Sequence, residues 1–135
     1  MKKEKIILSI IFLLSLLPMQ LSFFGSVRGV QEIRGLIILY NPITIISIFT
    51  FIAGVWIKFK DQKVNKIICL VSLVSIILIE LFWFIFWHYF YIDSKISLAM
   101  SIKMTYPEFY FGLLCSVIMV IVYCTLIKKD NRDNE

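Results

Sequence analysis

The chain has 135 residues, of which 60% are hydrophobic and 17% are charged, and its formal net charge is +5 at pH 7. Soluble domains are nearer ~45 to 50% apolar, so this composition excludes an ordinary soluble domain and predicts one compact integral membrane domain. The basic residues are confined to short segments beside apolar runs, which indicates membrane topology and no nucleic-acid partner. The abundance of Ile, Phe and Lys suggests an AT-rich bacterial source.

The first apolar run, residues 6–24, follows Lys2, Lys3 and Lys5 and predicts a first membrane-spanning helix. This layout also resembles that of a signal peptide. The run is too long for one, however, and no small-x-small cleavage site follows it, so we expect a retained helix that enters from the cytoplasm. Pro18 is expected to kink this helix. Residues 25–40 then form the first outer loop.

The second predicted helix covers residues 41–57, with Asn41 as its N-cap and Pro42 at its first helical position. Residues 36–40 before it are apolar, and the sequence leaves open whether they form helix or strand. Small and polar residues form one face of this helix, which lets membrane helices approach closely. They are Thr44, Ser47, Thr50 and Gly54. Residues 58–66 contain four lysines and mark a cytoplasmic loop.

The third predicted helix, residues 67–90, is roughly 35 Å long and can cross a ~30 Å hydrocarbon core. It contains a carboxylate, Glu80, near its middle. An ionised carboxylate at that depth would cost several kcal/mol, so we expect Glu80 to be protonated, hydrogen-bonded or open to a water-filled cavity. We expect at least one hydroxyl at its depth to bond to it. The candidates are Ser15, Ser47, Thr50 and Ser116.

Two interpretations of Glu80 remain open from the sequence. It is either an acid that binds a proton or cation, or a neutral carboxylic acid that ties neighbouring helices together. A second polar layer nearer the outer surface consists of Gln20, Asn41 and His88, and together they could line an outward-opening cleft. An interfacial aromatic belt also explains His88, because aromatic residues surround it in the sequence.

The second outer segment, residues 91–106, alternates apolar and polar side chains in its latter part, which is the period-2 pattern of a strand. A strand edge needs a partner, and the first outer loop is the nearest supply. We therefore expect a small extracellular β-cap built from the two outer loops. The alternative is an amphipathic loop that rests on the membrane surface.

The fourth predicted helix covers residues 107–127. Thr105 and Glu108 have the spacing of a capping box at its start. Gly112 and Ser116 form a small-xxx-small pair which, like Gly54 in the second helix, favours close helix packing. The polar tail, residues 128–135, is expected to be disordered and cytoplasmic.

The distribution of basic residues predicts the orientation of the spans. Ten of the 14 Lys and Arg residues lie at the N-terminus, in the loop at 58–66 and in the tail. The other four belong to the predicted outer loops: Arg28, Arg34, Lys95 and Lys103. This bias and the even number of spans predict an all-α, four-helix transmembrane bundle in the cell membrane, with both termini cytoplasmic.

The sequence contains no pattern typical of an enzyme or a metal site. Cys69, Cys115 and Cys124 fall inside apolar spans without metal-ligand spacing, so neither a metal nor another cofactor is expected. No nucleophile and base pair, paired carboxylates or phosphate-cradling glycine loop occurs. We therefore expect a protein that is not an enzyme.

Long apolar helices with small-residue faces are typical of recognition within the bilayer. The expected function is non-catalytic binding of a membrane partner or a secreted peptide, as an accessory subunit or a self-immunity protein, with self-association as a further possibility. The alternative is a small proton-coupled exporter that uses Glu80. Four spans with one buried acid resemble the general plan of small multidrug exporters, but the acid of those proteins lies in the first helix.

Overall fold

The computed structural model describes residues 2–25, 33–57, 61–91 and 98–133, with only the backbone of residues 88–91. The described chain is mostly helical. Its elements in chain order are α1 (Lys2–Leu16), a 3₁₀ helix (Leu17–Gln20), β1 (Ser22–Phe24), β2 (Ile33–Arg34), α2 (Leu36–Leu39), α3 (Pro42–Trp56), α4 (Gln62–Tyr91), α5 (Leu98–Lys103) and α6 (Pro107–Asp133).

The four longer helices pack side by side in alternating directions. The Phe12 ring of α1 lies 4.4 Å from the Phe51 ring of α3. Trp56, at the far end of α3, donates a hydrogen bond to Ser9, so these two helices are antiparallel. The side chain of Asn65 in α4 donates to the carbonyl of Gly54 at 2.6 Å, near the turn that joins α3 to α4.

Helices α4 and α6 are antiparallel along their full length. At one end the Phe84 and Phe109 rings stack with centroids 5.1 Å apart. At the other end Lys66 Nζ lies 3.6 Å from Asp130 Oδ2 and donates to Asn131. Since the helices alternate in direction, the N-terminus of α1 and the C-terminus of α6 lie at the same end of the structure.

Two of the described helices are long and apolar enough to cross a membrane, namely Gln62–Trp87 within α4 and the whole of α6. Only 28% and 22% of their apolar windows are buried inside the structure, whereas the core helix of a soluble protein would be mostly buried. Helix α3 has 15 residues and spans only about 22 Å, which is shorter than a ~30 Å hydrocarbon core.

The first predicted span is not one helix over residues 6–24. Helix α1 ends at Leu16, and Pro18 lies at the start of the 3₁₀ helix. Because proline lacks an N–H group and its ring clashes with the preceding turn, it ends the α-helix here where a kink was expected. The Leu21 N–H then donates to the Pro18 carbonyl at 3.0 Å, and the chain continues as β1.

The second span begins as predicted. Asn41 Oδ1 accepts a hydrogen bond from the Ile43 N–H at 3.0 Å, and Pro42 is the first residue of α3. Residues 36–39, which the sequence left open, form the short helix α2. Helix α4 begins at Gln62, five residues before the predicted start, because Asp61 Oδ1 accepts from the Lys63 N–H and caps it.

The predicted strand in the second outer segment is wrong over residues 98–103, which form α5. The alternating apolar residues there, Leu98, Met100 and Ile102, are exposed, and the buried residue is Ser101. Their period-2 pattern therefore marks no buried sheet face. Residues 92–97 lie outside the described part of the chain.

A small β-structure is present but uses other residues. Strand β1 pairs with β2 in antiparallel fashion, and both precede α2. The second outer segment adds one bridge between Phe24 and Thr105, with a hydrogen bond from the Tyr106 N–H to the Phe23 carbonyl at 2.8 Å. Thr105 does not cap α6, because its hydroxyl donates to the Ser101 carbonyl and α6 starts at Pro107.

The tail was expected to be disordered from residue 128, but α6 continues to Asp133. The long-range contacts of Lys66 with Asp130 and Asn131 hold this last part of the helix against α4. Exposed ion pairs contribute about 0 to 1 kcal/mol each, so the helix is held here by a hydrogen bond and a weak ion pair together.

Gly54 lets α3 and α4 approach closely, because an added Cβ would collide with Cys69 Sγ. We expect Gly54→Ala to lower the free energy of unfolding, since overpacking costs about 1 to 3 kcal/mol and the gain in helix propensity is about 1 kcal/mol. In the Cys69→Ala background the same change should stabilise the protein. Unfolding in detergent measures both effects, and equal effects in the two backgrounds would contradict this packing.

Candidate functional site

The candidate site is centred on Glu80, whose side chain is 0% exposed. Its Oε1 atom accepts a hydrogen bond from Ser116 Oγ of α6 at 2.9 Å. The hydrogen bond expected from the matching depth of the two residues is therefore present. The same hydroxyl lies 3.3 Å from the Gly112 carbonyl of its own helix. Among the described residues, Oε2 of Glu80 has no hydrogen-bond partner.

The other hydroxyls considered at this depth bond to their own helices. Ser15 donates to the Phe12 carbonyl at 2.6 Å. Ser47 and Thr50 each donate to the carbonyl four residues earlier at 2.7 Å. The structure therefore brings Ser116 to Glu80 and gives these three hydroxyls a local acceptor instead, which is a common arrangement for Ser and Thr in membrane helices.

Thr44 belongs to the same layer and was not among the candidates. It is 0% exposed, and its Oγ1 has no hydrogen-bond partner within the described ranges. Gly54 and Cys69 are in contact. Counting ~1.5 Å per residue from that contact along the antiparallel helices places Thr44 about 15 Å and Glu80 about 16.5 Å further out. Thr44 is three residues before Ser47, and this helical spacing is the sequence pattern that places both residues on one face.

The predicted outer cleft is not assembled as expected. Gln20 is exposed at the end of the 3₁₀ helix. The side chain of Asn41 caps α3 and is only half-buried. The side chain of His88 lies outside the described part of the structure. Gln20 therefore lies on the surface, and Asn41 caps the start of α3.

A cluster of aromatic rings, all buried except the half-buried Phe84, lies between Glu80 and the β-structure. Phe24 stacks on Trp87 with centroids 5.3 Å apart and also contacts Phe109. Phe23 meets Phe109 edge to face at 5.5 Å. Phe84, one turn beyond Glu80 on α4, completes the cluster through its stack on Phe109. These rings come from β1, α4 and α6, so the rings of β1 join α4 to α6.

The chemistry around Glu80 is that of an isolated acid. Within the described residues no group of three His, Cys, Asp or Glu side chains could hold a metal ion. One hydroxyl donor does not offset the cost of burying an ionised carboxylate. The arrangement therefore suits a neutral carboxylic acid, which accepts from Ser116 and carries its proton on the other oxygen.

Gly54, Gly112 and Ser116 have different roles in packing. Gly54 lies against Cys69 and Asn65 of α4. Gly112 lies against the Phe23 ring, because a Cβ there would come within 2.9 Å of that ring. Ser116 is one turn further along α6 and faces Glu80. On successive turns of α6, Gly112 therefore leaves room for the Phe23 ring and Ser116 for the Glu80 carboxyl group.

The chain matches no family model, no curated protein and no solved structure.

We expect Glu80 and Ser116 to be energetically coupled. A double-mutant cycle of Glu80→Met and Ser116→Ala should give a coupling of about 0.6 kcal/mol, the average between membrane helices, and no more than about 1.7 kcal/mol. Unfolding in detergent gives the four free energies. The matched control is Ser47→Ala with Glu80→Met, since Ser47 donates to its own helix, and equal couplings in both cycles would contradict the assignment.

Proposed function

We propose that the chain is a four-pass protein of a bacterial cell membrane that acts without catalysis by binding another membrane protein or a secreted peptide. Both termini are cytoplasmic in this proposal, and the β-structure with α2 and α5 is extracellular. An accessory subunit of a larger complex and a self-immunity protein are the two forms of this function.

The close packing around Glu80 among the described residues is the observation that carries this proposal. Glu80 is fully buried, and the aromatic cluster of Phe24, Trp87 and Phe109 lies beyond it. The cavity that adjoins Ser116 has a volume of about 10 Å³. Pockets for small organic ligands have volumes of about 300 to 1,000 Å³. A partner would therefore bind the outer surface of the protein.

The apolar outer faces and the basic end support four membrane crossings. Large apolar side chains such as Val71, Leu78 and Ile121 are exposed on the outward faces of α4 and α6, as lipid contact requires. The described cations at the end that contains both termini form a group that a cytoplasmic leaflet would attract. They are Lys2, Lys3, Lys5, Lys63, Lys66, Lys128, Lys129 and Arg132.

The opposite end presents exposed apolar residues on α5 and at Tyr40, which directly follows α2. Tyr40 is 70% exposed, and Leu98 and Met100 of α5 are each 51% exposed. The β-structure fixes this end to the helices through Phe23 and Phe24, so the surface is presented on a rigid support. Tyr and Met are residue types enriched at protein interfaces, which makes this end the favoured contact surface.

The second candidate is a small exporter coupled to protons through Glu80. The unpartnered Oε2 atom favours it, because a buried acid with spare hydrogen-bonding capacity is a common element of proton relays. Export would require the aromatic cluster to separate, since it closes one route to Glu80. The two functions therefore differ in whether Glu80 must change its protonation state.

The partner-binding proposal predicts a stoichiometric second protein when the tagged chain is extracted in mild detergent and examined by native mass spectrometry. Glu80→Gln should retain that partner, since the amide keeps an acceptor for Ser116. Ile102→Lys should release it, because it places a charge on the exposed face of α5. Val64→Lys, an equally apolar and exposed position at the other end, is the matched control. A homodimer alone, or loss of substrate export in Glu80→Gln, would contradict the proposal.

The topology can be tested by cysteine labelling in whole cells. With the three native cysteines changed to alanine, Tyr40→Cys should react with a membrane-impermeant maleimide added outside, because its side chain is highly exposed. Lys3→Cys and Lys129→Cys should react only after the cells are opened. Labelling of either terminal position in intact cells would contradict cytoplasmic termini.

A further inference from the structure

A small cavity, half open to the outside, lies between α1, α4 and α6 next to the hydrogen bond of Glu80. Two hydroxyl-bearing residues, Ser15 and Ser116, lie among its lining side chains. The rest of the lining is apolar: Phe12, Leu16, Leu73, Ile76 and Met119. Its volume of about 10 Å³ is close to the ~10 to 15 Å³ that a single water molecule needs.

Both hydroxyls at the cavity already donate a hydrogen bond within the protein. Ser15 Oγ donates to the Phe12 carbonyl at 2.6 Å, and Ser116 Oγ donates to Glu80 Oε1 at 2.9 Å. A hydroxyl oxygen has two lone pairs, so each of these oxygens still accepts hydrogen bonds. A ligand for this cavity must therefore supply two donors within the space of one small molecule.

We propose that this cavity binds one water molecule, which donates one hydrogen bond to Ser15 Oγ and one to Ser116 Oγ. Water has two hydrogens for the two acceptors and fits the volume. Hard metal cations need about six or more oxygen ligands, which the two hydroxyls do not provide. The water joins α1 to the Glu80 and Ser116 pair, and it strengthens the donation from Ser116 because linked hydrogen bonds polarise one another.

This water site is independent of the proposed function, since it follows from the cavity and its two hydroxyls. It gives Ser15 a second role besides its hydrogen bond to the Phe12 carbonyl. The site also extends the polar layer of Glu80 toward α1, so that a single water molecule lies between three helices. Removal of either hydroxyl should weaken the water's binding, and removal of both should abolish it.

Nuclear magnetic resonance of the full chain in detergent micelles tests the site. The probes are labelled methyl groups of Ile76 and Met119, which line the cavity, and of Ile38, which is fully buried elsewhere. We expect nuclear Overhauser cross-peaks between water and the first two methyl groups, with the sign of a long-lived bound water, and none to Ile38.

Variants test whether the cross-peaks depend on the two hydroxyls that line the cavity. Ser15→Ala should weaken the cross-peaks, and Ser15→Ala with Ser116→Ala should remove them. Ser47→Ala, which removes a buried hydroxyl that bonds only to its own helix, should leave them unchanged. Absence of the cross-peaks in the parent protein, or full intensity in Ser15→Ala, would overturn the proposal.

Discussion

The burial of the Glu80 carboxyl group is the constraint on which the arrangement of the longer helices depends. A carboxyl group with no exposed surface must meet a donor inside the protein, and Ser116 of α6 provides it. This contact requires the helices to approach closely at that level. Near that level Gly112 leaves room for Phe23 beside α6, and about 16.5 Å away along the helices Gly54 lets α3 approach α4 closely. The polar contact and the small residues therefore act together.

Pro18 also affects the packing around Glu80. By ending α1 early, it turns the chain so that Phe23 and Phe24 of β1 enter the space above Glu80, where a continuous helix would have passed. Both rings are 0% exposed, and they pack on Phe109 of α6. Aromatic pairs of this kind contribute about 0.5 to 1.5 kcal/mol each beyond burial of their area. Strand β1 thus stabilises the end of the structure opposite both termini, and its two rings lie between that end and Glu80.

Features that depend on local chemistry or on depth could be predicted from the sequence. The Asn41 cap follows from its position before proline, and the Ser116 contact follows from antiparallel helices of similar length. Features set by distant contacts could not. Lys66 holds the end of α6 through Asp130, sixty-four residues away, so the tail forms a helix. Residues 98–103 form a helix in spite of their alternation, because Leu98, Met100 and Ile102 face no core and the buried residue is Ser101.

A hydrogen bond between membrane helices is worth only about 0.6 kcal/mol on average, because the unfolded chain in the bilayer also finds partners. The Glu80 and Ser116 bond is therefore better understood as a determinant of register than as a major source of stability. It fixes how α6 is rotated against α4, since a helix turned by one residue (about 100°) would leave the carboxyl group without its donor. That rotation also sets which side chains of α6 face outward. A fixed register supports recognition by a surface, whereas transport would require this same contact to break and re-form.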